Sequence, residues 1–266
     1  MGEISEALLR LARFGDAPIW AAILVFARVG AAAFLIPGFS NRMIPQRVRL
    51  VGALALTVLV APAAWPHVSA LPLEGAAITT LGGFLAAESI VGLMIGIGLR
   101  LMIMALQLAG SIAAQSTSVA QIFGAGVTPD PMPAIGNMLV LAALALAFSQ
   151  GLHVKAVVAM VRSYDIAPAG VLPGAPEAAA WGLERASSAF ALAFSLSAPF
   201  VAAAFAYNVA LGAINRAMPQ LMVAFVGAPA ITAGALLLLA VSGPHILLFW
   251  ADVMTDALAD PLGPAP

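Results

Sequence analysis

The chain has no cysteine, only three histidines (His67, His153 and His245), and charged side chains at just 9% of its 266 positions. Without cysteine, disulfides, thiolate metal centres and cysteine nucleophiles are excluded. Three scattered histidines do not make an all-protein metal cage. The shortage of charge excludes more. An ordinary soluble domain carries about 25% charged and roughly 45–50% apolar side chains, against 62% apolar and a mean hydropathy of +1.04 here. A surface so poor in charge cannot face water all round, so a soluble enzyme or cytosolic binding domain is nearly excluded. The 11 Lys and Arg against 12 Asp and Glu leave no basic excess for a phosphate backbone, which argues against nucleic acid as a partner. No His-Glu-x-x-His, Gly-x-Ser-x-Gly or paired-aspartate motif occurs, so an intramembrane enzyme is not expected either. What is left is an all-α polytopic membrane protein.

The few charges divide the chain. Charge-free runs cover Leu50–Leu73, Leu101–Pro129, Ala186–Asn215 and Ala217–Ala251, each longer than the roughly 20 residues of a spanning helix. Apolar helices are expected near 17–37, 48–65, 75–99, 101–123, 135–152, 186–214 and 217–250, six to eight pieces in all, arranged as broken hairpins. The last two should bend or break at Pro199, Pro229 and Gly243-Pro244. The segments are an interfacial helix over 1–16, N-terminal hairpins over 17–123, a central loop over 124–134, C-terminal helices over 135–250 and an acidic tail over 251–266. The first segment places Ile4, Leu8, Leu11 and Phe14 at helical spacing opposite Glu3, Glu6, Arg10 and Arg13, as a helix lying along a membrane surface does. It lacks the apolar core of a cleavable signal peptide. The linker Gly38–Arg49 holds Arg42, Arg47 and Arg49 and no acid, which orients it toward the cytoplasm. Asp252, Asp256 and Asp260 recur at intervals of four on one helix face, the pattern of a solvated end.

Three features carry possible chemistry. Arg28 and Glu88 lie in the middle of apolar stretches and Arg100 at the end of one. A charge at bilayer depth costs about 2.5–3.5 kcal/mol on insertion scales, so it faces protein or water. Three charges without a chain of acids or histidines make a poor proton relay, and pairing between helices is the expectation. Second, Gln107, Ser111, Gln115 and Ser118 share one face of an apolar helix and lead into Gln121-Ile122-Phe123-Gly124-Ala125-Gly126-Val127-Thr128-Pro129-Asp130-Pro131-Met132-Pro133. Its glycines and prolines make that segment irregular. Such backbone at membrane depth is tolerated only inside protein or against a wet cavity, so the stripe either lines a lumen or joins helices by polar contacts. Third, Asn-Arg-x-x-Pro-Gln occurs twice, as Asn41–Gln46 and Asn215–Gln220. In each copy a proline suits the start of the next helix. A coincidence explains four shared residues more simply than an internal repeat does.

The stretch from Asn208 through Asn215-Arg216-Ala217-Met218-Pro219-Gln220 to Val223 closely resembles the C-terminal signature of the FliR family, membrane proteins of the flagellar type III export apparatus related to a subunit of virulence injectisomes. Ala27-Arg28-Val29, Pro37-Gly38-Phe39 and Ile44-Pro45-Gln46-Arg47-Val48-Arg49 resemble that family's first hairpin. The central Asp130-Pro131 loop fits as well, although its Gly-Ala-Gly and triple proline depart from the more polar insertion of many relatives. The resemblance implies a single-copy subunit of an export gate in the bacterial inner membrane, at the flagellar basal body. Its partners would be several copies of two other small helical membrane subunits, a larger switch subunit, the lipid bilayer and transient unfolded flagellar proteins. It implies no catalytic residue and no cofactor. Carried over residue by residue, it makes Gln115, Ser116, Ser118, Gln121, Phe123, Gly124, Gly126, Asp130 and Pro131 the candidate plug of the entry pore. Arg28, Pro45, Arg47, Glu88, Asn215, Arg216, Pro219 and Gln220 become candidates for structural or subunit contacts. Much of the apolar surface would then face sister subunits rather than lipid. The rival reading is a secondary transporter or permease subunit with Glu88 and Arg100 as its coupling pair.

Overall fold

A computed structural model describes residues 17–36, 44–117, 134–218 and 223–264; of 134 and 223–229 only the backbone is described. Seven helices follow in order: α1 (Ala17–Leu35), α2 (Gln46–Ser69), α3 (Ile78–Ser116), α4 (Ala134–Ser149), α5 (Leu152–Ile166), α6 (Ala175–Ala217) and α7 (Val223–Ala259). No strand occurs among the described residues. α1, α2, α3, α6 and residues 230–259 of α7 are long and apolar enough to cross a membrane. α4 and α5, parted at Gly151 with φ +70°, add a sixth span if the bent pair is one. The all-α membrane architecture expected from composition is the one observed.

Three differences from the expected helices have physical causes. The stretches near 75–99 and 101–123 join into one 39-residue helix, α3. Arg100 interrupts hydropathy, but arginine is a good helix former and its exposed side chain leaves the helix intact. α5 was absent from the expected set because His153, Lys155 and Arg162 dilute its apolar content. Its buried residues, Leu152, Ala159, Met160, Ser163 and Tyr164, nonetheless recur on one face. The prolines expected to break the last helices do not end them: α6 runs through Pro199, and α7 through Pro229 and Pro244. Each proline costs one backbone donor, a loss that apolar helices of this kind tolerate.

The chain divides into two compact units. The first takes the described residues of 1–101, 151–185 and 254–266. In it α1 packs on α2 and α2 on α5. α1 buries Ala21, Leu24, Val25, Arg28, Val29 and Ala32, one face at helical spacing. α2 meets its neighbours through Ala53, Thr57, Val60, Ala64 and Val68, and sends Val51, Val58 and Leu59 outward. Small residues set the approach of α3 to α1: a Cβ on Gly92 would fall on the Arg28 carbonyl, and one on Gly96 would lie 2.8 Å from the Ala32 oxygen.

The second unit takes the described residues of 102–150 and 186–253. α3 and α4 cross at Gly110 and Gly136, where a Cβ on Gly110 would collide with the Gly136 backbone. The buried Trp250 indole on α7 donates to the Met102 carbonyl oxygen at 2.9 Å.

Candidate functional site

The residues of greatest chemical interest in the first unit meet at one buried ion pair. Arg28 from the middle of α1 and Glu88 from α3 are 1% and 0% exposed. The guanidinium grips the carboxylate with both arms, Nε donating to Oε2 at 2.8 Å and Nη2 to Oε1 at 3.1 Å. Nη1 donates to the Ser163 hydroxyl at 3.2 Å, and Nη2 also donates to the Ala167 carbonyl at 3.0 Å. The Ser163 hydroxyl itself donates to Met160 O. From the opposite side the Gly170 amide donates to Glu88 Oε1 at 2.8 Å. The guanidinium carbon lies 3.8 Å from the centroid of the Tyr164 ring, whose other neighbour is the stacked imidazole of His67.

Local sequence explains how the parts arrive together. Ser163 and Tyr164 close α5, and the turn Ala167-Pro168-Ala169-Gly170 folds back over the helix end. Gly170 adopts φ +70°, and a Cβ there would press on the Phe84 ring; glycine satisfies both demands. The fork of arginine matches a carboxylate in two parallel bonds, and both charges keep further partners. That is the condition under which a buried pair offsets its desolvation. The pair cancels its own charge, so it fixes α1, α3 and the α5 turn while adding no net charge to an apolar region.

The coupling of Glu88 with Arg100 that the rival transporter reading invoked is not what the unit contains. Glu88 is held by Arg28 and Gly170, while Arg100 is exposed twelve positions further along α3. Lys155 and Arg185 add two clasps within this unit. Lys155 reaches the Thr255 hydroxyl at 3.1 Å, and the buried Arg185 donates to the Asp260 and Gly263 carbonyls at 3.2 and 3.0 Å. Both pin the C-terminal residues. Asp252, Asp256 and Asp260 are exposed, in keeping with a solvated acidic face.

The other candidate residues lie apart from this pair. Pro45 and Arg47 are exposed at the start of α2, and Asn215 and Arg216 are exposed at the end of α6. In the second unit Gln107 and Ser111 are half-buried on α3, Gln115 is exposed and Ser116 half-buried near its end. The Ser111 hydroxyl donates to the Gln107 carbonyl, and those of Ser116 and Thr117 donate to the Ala113 carbonyl. These hydroxyls thus bond within their own helix, leaving the Gln115 amide the outward polar group at its end. A cleft of about 320 Å³ in the same unit is lined by Thr117, Ala203, Tyr207, Gly234 and neighbouring apolar residues of α6 and α7. Ser118, Gln121, Phe123, Gly124, Gly126, Asp130, Pro131, Pro219 and Gln220 lie outside the described residues, as do residues 1–16 and the Asn41-Arg42-Met43 turn.

Sequence reasoning picked out Arg28 and Glu88 and missed Ser163, Tyr164 and Gly170. The signal for these was present in the turn signature Pro168-Ala169-Gly170 after a short amphipathic run. Among the described residues, no group of three or more His, Asp or Glu side chains is placed to hold a metal ion.

Comparison with known proteins covers almost the whole chain. The family described as "Bacterial export proteins, family 1" matches residues 19–257. Flagellar biosynthetic protein FliR of Caulobacter vibrioides is 33% identical over 243 residues, spanning 90% of this chain and 95% of that protein. The protein of the same name from Bacillus subtilis is 32% identical over 213 residues, 78% of this chain and 80% of its own length. That of Escherichia coli is 25% identical over 255 residues, 93% of each.

Proposed function

The chain belongs to the bacterial export proteins of family 1, the family of flagellar biosynthetic protein FliR, and from that premise we propose that it is a membrane-embedded, non-catalytic subunit of the flagellar export apparatus. In this reading it sits in the bacterial inner membrane beside other helical subunits, in single copy, and forms part of the entry pore for unfolded flagellar proteins. The observation that carries it is the family match over residues 19–257.

The physical account runs through the two units. A translocating chain presents every kind of side chain in turn, so a pore should offer small and weakly polar groups rather than one shaped pocket. Gln107, Ser111, Gln115 and Ser116 on α3 are of that type, and their hydroxyls engage their own helix. The close crossing at Gly110 and Gly136 fixes the root of the hairpin from which residues 118–133 leave and to which they return. A closing segment needs fixed ends and adaptable backbone between them. Residues 116–131, with Gly124, Gly126, Pro129 and Pro131, supply that composition. The Arg28–Glu88 pair holds helices in place and moves no proton. Pro45, Asn215 and Arg216 are exposed and available to neighbouring subunits.

The absence of cysteine from the sequence makes a direct test simple. Gln115→Cys, carrying a photo-crosslinker in the assembled apparatus, should capture a stalled export substrate. Leu183→Cys, at an exposed site in the other unit, should not. Equal capture from both positions, or none from Gln115, would remove the pore assignment.

A further inference from the structure

Among the described residues, the positive charges set deep in a helix have partners, with one exception. Arg28 is paired with Glu88, Lys155 is bonded to Thr255, and Arg185 to the Asp260 and Gly263 carbonyls. Arg47, Arg162 and Arg216 stand within about one turn of a helix end, where a long side chain reaches water. Arg100 has neither recourse. It makes no hydrogen bond, ion pair or ring contact with any described residue. In the unbroken α3, Ile78–Leu99 precedes it and Leu101–Ser116 follows it, about six and four turns of mostly apolar helix. An arginine so far from both ends needs a counter-charge beside it.

The rest of its helix face has the same unfinished character. Gly82, Ala86, Ile90, Leu93, Ile97 and Arg100 recur at intervals of four and three, and all six are exposed. The other side of α3 is filled: Gly92 and Gly96 abut α1, Glu88 holds Arg28, and a Cβ on Gly98 would lie 3.5 Å from the Trp181 ring. An open strip about 27 Å long is left, small at one end, aliphatic in the middle and cationic at the other. A Cβ on Gly82 would meet nothing within 4 Å. Gly82 and Ala86, four residues apart, are the kind of small pair that lets a second membrane helix come close.

The strip selects its occupant by charge and shape. Acyl chains would cover the aliphatic part and leave the guanidinium without a counter-charge. Water would serve the guanidinium and leave Ile90, Leu93 and Ile97 wet. A second copy applying the same face would bring a second arginine and no free acid, because the one carboxylate between 82 and 100 is the buried, paired Glu88. A helix that is apolar apart from one carboxylate satisfies every part of the strip.

We propose that this face of α3 docks a membrane helix of an unlike subunit, packed closely over Gly82 and Ala86 and presenting an aspartate or glutamate to Arg100. The proposal rests on the reading of the chain as a subunit of an assembled apparatus, and it states the chemistry of one neighbour.

A zero-length cross-link tests it in the assembled apparatus. Lys155 is the one lysine in the sequence, so Arg100→Lys adds a single new side-chain amine. A membrane-permeant carbodiimide joins an amine to a carboxylate only where the two are in contact. Arg100→Lys should form an amide with an Asp or Glu inside an apolar helix of another subunit, identified by peptide mass spectrometry. Arg47→Lys, exposed at the start of α2, should not give that product. Arg100→Glu, which sets two carboxylates together, should lower recovery of the other helical subunits with this chain by about thirty-fold or more. The melting temperature of the isolated full chain in detergent should stay at the parent's value, because Arg100 bonds to nothing within it. A parent chain that leaves the membrane with no other helical subunit would remove the subunit reading and the docking face together. With a parent that co-purifies with such subunits, four results overturn the docking face alone: no cross-link from position 100, a cross-link only to lipid, export substrate or another copy of this chain, the same product from Arg47→Lys, or Arg100→Glu assembling as the parent does.

Discussion

Of the Asp, Glu, Lys and Arg among the described residues, only Arg216 and Asp252 fall in the unit built from 102–150 and 186–253; every other one falls in the unit built from 1–101, 151–185 and 254–266. The first unit adds to its close helix approach at Gly92 and Gly96 a set of directed polar contacts that converge on Arg28 and Glu88. The second relies on alanine, glycine and backbone-to-backbone approach at Gly110 and Gly136, with the Trp250 indole bonded to a main-chain carbonyl. A buried bidentate pair fixes one geometry and fails if altered. Small-residue contacts fix the spacing of helices and leave the outer surfaces chemically bland. Under the proposed pore role, a protein that anchors itself and lines a passage for varied chains has use for both kinds of construction.

The comparison breaks most visibly at the ion pair. Glu88→Gln, or Arg28→Met, leaves one buried group without its counter-charge and should cost about 3–5 kcal/mol, read as a lower unfolding temperature in detergent. The double variant Arg28→Met with Glu88→Gln should recover much of that loss. If both single variants matched the parent, the pair would not be holding the first unit. In the second unit Gly110→Val should separate α3 from α4 and cost about 1–3 kcal/mol by overpacking. Alkylation of a cysteine placed at Gly136 in that variant would report the opening, and unchanged protection would contradict the close crossing.

Smaller effects sharpen the contrast. Gly170→Ala combines a left-handed backbone with a clash against Phe84, at about 1–3 kcal/mol; a thermal melt of the purified complex checks it. Arg185→Ala frees the Asp260 and Gly263 carbonyls at roughly 1–3 kcal/mol, seen as faster carboxypeptidase trimming. The pair of the half-buried His67 and the exposed Asp165, 3.7 Å apart, should matter least. Asp165→Asn should change stability by no more than about 1 kcal/mol.

Much of this was legible in the sequence, and the reasons differ by element. Low charge and long apolar runs announce a helical membrane protein, because a spanning segment has no other way to satisfy its backbone. Arg28 and Glu88 stand out because charge at such depth needs a partner, but the sequence holds three such charges and does not say which two meet. The choice of Arg28 over Arg100 is made by the Gly92 contact, which brings α1 against α3, and by the α5 turn that supplies Ser163, Ala167 and Gly170. That turn was overlooked because α5 is amphipathic rather than apolar. Proline at 199 and 244 suggested breaks through local backbone chemistry, and the helices run on regardless. The polar stripe on α3 is visible as periodicity, while its hydroxyls bonding within the helix is a matter of rotamers that spacing cannot convey.

The central claim is that residues 116–131 close a pore whose walls stay fixed. The most direct measurement is the small-ion conductance of reconstituted complexes in which residues 118–126 of this chain are deleted. The account predicts complexes that assemble in normal yield and conduct well above the closed level of the parent. Assembled complexes whose conductance stays at that closed level would contradict it.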